Sequence, residues 1–190
     1  MMLVDTRQPK SDLSPVLRAT LFAAEKHRMQ RRRDPDASPY INHPISLAHL
    51  LVNEAMVLDP VVICAALLHD TIEDPTTTFE ELGTAFGDDI AGIVLEVSDD
   101  RSLAKAERKR LQIEHARSIS RRAKLVKLAD KICNLRDIMT APPVGWSTQR
   151  KDEYFLWAVQ VVAGLRGTHP RLEEIFDGVV RRWQEGPRHP

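Results

Sequence analysis

Residues 61–74 read VVICAALLHDTIED, an unbroken apolar run from Val61 to Leu68 that ends abruptly in His69, Asp70, Glu73 and Asp74. Pro60 suits the first position of a helix because it has no N–H to leave orphaned. Asp59 before it can cap that turn, and Pro75 disfavours helical geometry at Asp74. The stretch therefore predicts one helix of about four turns. A helix that is apolar on every side sits inside a protein, and side chains three or four apart share a face. His69 should then lie beside Glu73, and Asp70 beside both Glu73 and Asp74.

Several carboxylates buried together are costly unless they are paired, hydrogen-bonded or bound to a cation. Two readings stand. The helix surfaces at its last turn and leaves the charges in water, or the cluster holds a metal, for which a His beside an Asp supplies two kinds of ligand at once. The long apolar run before the His-Asp pair and the second acidic pair after it favour the metal.

With 190 residues, 43% of them hydrophobic, the chain is long enough for a single domain over 1–190 with a sizeable core, ordered over about 14–184. The 27 basic residues balance 27 acidic ones, which argues against a protein that holds nucleic acid or an anionic membrane by bulk charge. A local basic patch remains compatible with a phosphorylated small molecule. Cys64 and Cys133 fall on apolar helical stretches without paired spacing, so they read as small core residues in a reducing compartment, by default the cytoplasm. The N-terminal MMLVDTRQPK has no apolar core after a basic start, and no apolar run approaches bilayer length, so neither secretion nor membrane anchoring is expected.

Along the chain, Ser14-Pro15 opens a helix to about Met29 whose apolar positions Leu17, Leu21, Phe22 and Ala24 follow helical spacing. A polar loop follows, carrying Arg31, Arg32 and Arg33. Such a triplet is either solvated surface or, so close to a metal site, a grip on phosphate oxygens. His43-Pro44 starts a second helix with Ile45, Ala48, Leu51 and Val52 inward, and leaves His43 at its lip as a cap or a ligand.

Beyond a turn at Pro75, Thr78 and Glu81 form a capping box for a short helix, and Asp88 or Asp89 can cap the next, striped by Ile90, Ile93, Val94 and Val97. A charged helix over about 103–119 reads as solvent-facing, with Lys105 able to reach a pocket at its start. The helix over about 121–139 has two apolar sides, Leu125, Leu128, Ile132 and Leu135 on one and Val126, Ala129 and Cys133 on the other. Lys127, Asp130, Asn134 and Asp137 share the strip between them. Asp130 is there either solvated or the distant carboxylate of a metal site. Ser147 caps a helix ending near Gly164 or Gly167, and a last helix spans about 168–184. The sum is an all-α chain of about nine helices with no strand-like alternation.

Three segments, HRMQRRRDPDASPYINHP, AALLHDTIED and KLVKLADKICNLRD, resemble the hallmark sequences of the HD-domain metal-dependent phosphohydrolases, and within them the Rel/Spo alarmone hydrolases of the small stand-alone type. The similarity runs over about 19–176. It implies a compact HD-domain helical bundle holding one divalent ion, usually Mn²⁺, on His43, His69, Asp70 and Asp130. The family places an acidic pair at Glu73 and Asp74 to orient and activate the attacking water while the ion polarises the phosphoryl group. Arg32 and Arg33 would contact the nucleotide, with Lys105, Asn134, Arg150 and Tyr154 as further pocket residues. The implied reaction removes the 3′-diphosphate of guanosine tetra- or pentaphosphate, giving pyrophosphate and GDP or GTP, with no synthetase activity.

Two alternatives remain beside it, a phosphatase removing a single ribose phosphate, as from NADPH, and a catalytically silent domain that binds alarmone. A pure binder has no use for a water-activating pair beside a metal. The partner implied is a small nucleotide, with a homodimer one option for the assembly.

Overall fold

The computed structural model describes residues 12–73 and 77–186. Expectations for the first ten residues, for Asp74 and the turn at Pro75, and for the tail beyond Gly186 fall outside them. Among the described residues the chain is all-α: α1 (Ser14–Lys26), α2 (Asn42–His49), α3 (Pro60–Leu68), α4 (Phe79–Phe86), α5 (Asp88–Val97), α6 (Lys105–His115), α7 (Arg121–Thr140), α8 (Thr148–Ala163) and α9 (Pro170–Glu185). A π-helical turn, Leu50–Glu54, continues α2, and a 3₁₀ turn, Thr71–Glu73, follows α3.

The apolar helix is the axis of the molecule. Every residue of α3 from Val62 to Leu68 is buried, and α1, α2, α5 and α7 all pack against it. Asp59 caps it, accepting from the Val61 N–H at 3.0 Å, and Thr78 and Ser147 cap α4 and α8 by accepting from Glu81 N and Arg150 N. At α5 the cap position belongs to Gly87 rather than to Asp88 or Asp89, because φ there is +86°, a conformation that glycine adopts freely.

Three expectations change in detail. First, the four-turn helix ends early, at Leu68, because two side chains take the carbonyls that would have continued it. His69 Nδ1–H donates to Ala66 O at 2.8 Å and Thr71 Oγ1 to Leu68 O at 2.7 Å, and the chain tightens into the 3₁₀ turn. Second, α1 turns its other stripe inward. Ala19 and Ala23 are fully buried, whereas Leu17 and Leu21 are 68% and 73% exposed, the small residues allowing α1 to approach α3 closely. Ile45 of α2 likewise points outward. Third, α2 begins at Asn42, so His43 sits within its first turn and is buried rather than lying at a lip.

Gly164 ends α8 for a reason of space, not of dihedral angle. Its φ is −78°, and a Cβ added there would lie 2.6 Å from the Ala116 Cβ, where the end of α6 meets the end of α8. Gly164→Ala is therefore expected to destabilise the fold by about 1–3 kcal/mol through overpacking. Urea denaturation should show a lowered midpoint with an unchanged slope, and an unchanged midpoint would mean that the two helix ends are not in contact.

Candidate active site

The early end of α3 sets the geometry. With its Nδ1–H committed to Ala66 O, the buried His69 turns Nε2 inward, where this atom has no hydrogen-bond donor or acceptor partnered to it. Around it stand Asp70 Oδ2 at 3.1 Å and Asp130 Oδ1 at 3.9 Å. His43, brought from α2, places its ring centroid 5.4 Å from that of His69 and its Nε2 3.2 Å from Asp130 Oδ1. His43 Nδ1 is also buried without a partner.

One ligand atom each from His43, His69 and Asp130 fit within 4.8 Å of one another. Asp70 stands beside this trio and accepts from the Tyr40 hydroxyl at 2.5 Å. The buried, unpartnered His69 Nε2, meeting His43 Nε2 at the Asp130 and Asp70 oxygens, fits a divalent cation.

The electrostatics describe a site built around positive charge. Burial opposes ionisation of Asp130, yet Lys131 and His43 hold its carboxyl well below the usual range. Asp70 is depressed likewise, against burial, by His69. Burial would push His69 down, but Asp70 and Asp130 raise it to about 9. A cation at the cluster would need the neutral imidazole of His69, so its binding would be linked to pH.

Glu73, at the end of the 3₁₀ turn, faces the segment between α5 and α6. Arg101 donates to its Oε2 from Nε at 2.8 Å and from Nη2, and the Asp99 N–H approaches Oε1 at 3.3 Å. Burial and Asp70 raise the Glu73 carboxyl, and Arg101 counters them. That segment is itself anchored. Ser98 Oγ donates to His69 O, Gln112 Nε2 to both oxygens of Asp99, and the buried Lys127 to Val97 O at 2.8 Å.

A cavity of about 690 Å³ opens beside the cluster, within the size range of small-molecule sites. Arg32, Arg33, Asn134 and Tyr154 line it, as do Tyr40, Glu73 and Trp146. Arg32 pairs with Asp137 and lies over the Tyr40 ring, and Asn134 donates to Asp130 Oδ1 at 2.6 Å. Arg150 does not line the cavity; it stacks over Trp146, which does, at 4.5 Å. Lys105 lies apart from this cavity, on a smaller one adjoining it.

Sequence reasoning passed over Tyr40, Arg101, Lys131 and Trp157, and read Lys127 only as part of a polar strip. Lys127 and Lys131 had a signal. They are four apart on α7, and a helix with two apolar sides leaves too little room for both to reach water; their ammonium groups are capped inside, on Val97 O and Asp130. Arg101 had none, since its partner is 28 residues away across a loop.

This fold and site define a class. The HD-domain family model matches residues 19–159, and the chain belongs to that family, whose fold implies a divalent metal. Within it, the chain is 57% identical over 167 residues, 88% of its own length and 93% of the other, to a Xenopus tropicalis protein named guanosine-3′,5′-bis(diphosphate) 3′-pyrophosphohydrolase MESH1. The Homo sapiens protein of the same name is 56% identical over 172 residues, covering 90% and 96% of the two chains. A solved structure described as a metazoan ortholog of SpoT that hydrolyses ppGpp superposes with a TM-score of 0.86 at 49% identity, covering 90% of this chain and 96% of that one. Among the described residues no helix is long and apolar enough to cross a membrane.

Proposed function

We propose that the chain is a metal-dependent 3′-pyrophosphohydrolase of guanosine tetra- and pentaphosphate, releasing pyrophosphate and GDP or GTP. The observation that carries this reading is the buried, unpartnered His69 Nε2, beside Asp70 and Asp130, next to an arginine-lined cavity that Asp70 and Glu73 both line. The names of the similar proteins point the same way.

His43, His69, Asp70 and Asp130 would hold the ion, and Mn²⁺ suits two imidazoles with two carboxylates better than a closed structural zinc site does. No thiolate competes, because burial pushes the nearby Cys133 thiol far above its usual range. When bound, the ion supplies Lewis-acid charge to the phosphoryl group and acidifies water beside it.

The chain's own residues do the rest. Arg32 and Arg33 grip the anionic nucleotide by charge-assisted contacts, and Tyr154 and Trp146 offer aromatic faces. Glu73, with Asp74 next to it in sequence, accepts the proton of the attacking water. The new bond joins water oxygen to the phosphorus nearest the ribose. The bond from that phosphorus to O3′ breaks, and O3′ leaves as the hydroxyl, its proton coming from solvent.

Metal-loaded protein incubated with guanosine tetraphosphate and with NADPH tests the reading by chromatography. GDP and pyrophosphate in equal amounts are expected; faster phosphate release from NADPH than turnover of the alarmone would contradict it.

Arg101 enters this mechanism by fixing the Glu73 carboxylate from two nitrogens. Arg101→Ala is expected to lower kcat by about tenfold to a hundredfold, the cost of a displaced base, with KM little changed. Arg101→Lys should recover part of the loss. A rise in KM at constant kcat would instead make Arg101 a substrate contact.

A further inference from the structure

A second chamber, of about 230 Å³, shares Tyr40, His43, Asp70, Glu73, Asn134 and Tyr154 with the arginine-lined cavity but extends from them toward α6 and α8 rather than toward the loop over residues 30–40. It is below the ~300 Å³ at which pockets for drug-sized molecules begin, too small for a nucleoside and suited to a compact anion. Its further walls carry Lys105, Arg108 and Lys109 from α6, Lys127 and Lys131 from α7, and Trp157 from α8.

These cations are not equally engaged. Lys131 is matched by Asp130 at 2.9 Å, Lys127 is tied to Val97 O, and Arg108 donates to Leu103 O with Asp99 3.9 Å away. Lys109 differs. Like Lys105 it forms no ion pair among the described residues, but its ammonium is also held in place, 4.8 Å from the Trp157 ring centroid and 5.4 Å from that of Tyr154. Lys131 also lies over Trp157, at 4.5 Å, so one indole steadies two ammonium groups. A cation–π contact orients a cation without cancelling its charge, which leaves Lys109 available to an anion.

Trp157 is itself fixed, its Nε1–H donating to Lys109 O at 3.0 Å. The crowding has a cost that an anion would relieve: burial and Lys105 push Lys109 down, and burial and Lys131 push Lys127 down to about 8. The carboxylates facing the chamber are already spoken for, Asp99 by Gln112, Glu73 by Arg101, and Asp70 and Asp130 by the metal cluster.

We propose that this chamber is a subsite for inorganic diphosphate, with Lys109 poised over Trp157 as its specificity-determining cation. Resting on the reaction proposed above, it receives the two phosphates that leave the 3′ oxygen, while the guanosine and its 5′ phosphates stay in the arginine-lined cavity. The two products are then held by different residues of one site.

Product inhibition separates the two cavities. In Lys109→Ala, inhibition by inorganic pyrophosphate should weaken about tenfold or more, inhibition by GDP should stay as in the parent, and Lys109→Arg should restore the pyrophosphate effect. Arg33→Ala should show the reverse pattern. Unchanged pyrophosphate inhibition in Lys109→Ala, or equal weakening of both inhibitors, would overturn the subsite.

Calorimetric titration of pyrophosphate into the parent and Lys109→Ala proteins reads the subsite without turnover. Binding that needs Lys109 in a protein that releases no pyrophosphate from the alarmone would refute the reaction and keep the subsite. Binding indifferent to Lys109 in an active enzyme would refute the subsite alone.

Discussion

Asp130→Ala is expected to lose its divalent ion and its turnover together. Asp130 comes from α7, while His43, His69 and Asp70 come from α2 and the end of α3, so Asp130 is the group that closes the cluster across the helix packing. Its carboxylate is shared among Lys131, Asn134 and His43 and sits with 14% of the side chain exposed. Removing it would take one oxygen from the proposed ion site and leave the buried Lys131 ammonium without its counter-charge. Loss of affinity should exceed the ~10²-fold seen for outer contacts to a metal ligand.

Because a broken buried pair can cost about 3–5 kcal/mol, the near-isosteric Asp130→Asn serves beside it, keeping volume and a hydrogen-bonding oxygen. Elemental analysis of both variants should find the ion depleted while circular dichroism shows the helices kept. Chelation of the parent protein should reproduce the loss, with Mn²⁺ restoring activity. A metal-replete, folded Asp130→Asn with parental turnover would remove Asp130 from the ligand set.

Glu73→Ala should behave differently, keeping the ion while turnover falls by about 10²-fold or more, the usual worth of a positioned general base. Glu73 is held by Arg101 and the Asp99 N–H rather than by the histidines, and it is not one of the three groups that converge. On the proposed mechanism its loss would remove the proton acceptor and leave the cation cage standing. The two variants thus separate an electrophile-holding role from a base role by metal content alone. A metal-free Glu73→Ala would move Glu73 among the ligands.

The helical plan was readable because its signals are local. An apolar run bounded by Asp59-Pro60, and side-chain caps at Thr78 and Ser147, each act within a single turn. Two features were not readable, one of long-range and one of local origin. Periodicity shows that α1 has stripes but cannot say which one meets α3, and there the small Ala19 and Ala23 win over the larger Leu17 and Leu21 because close approach matters more than side-chain area. The early end of α3 is local, but propensity does not register His69 and Thr71 turning back onto the carbonyls of Ala66 and Leu68.

At the site, His43, His69 and Asp130 could be named from motif resemblance, and the fold brings them together. Arg101 and Lys109 could not be. Each matters through a partner on another element, Glu73 for one and Trp157 for the other, and no spacing in a single sequence encodes such a pair.

Hydrolysis of guanosine tetraphosphate in ¹⁸O-labelled water tests the central claim most directly, that water is delivered by Glu73 to the phosphorus nearest the ribose, between the cationic walls of the two cavities. The label should appear in intact pyrophosphate and none in GDP. Label in the GDP, or orthophosphate released one unit at a time, would place the attack elsewhere and contradict the account.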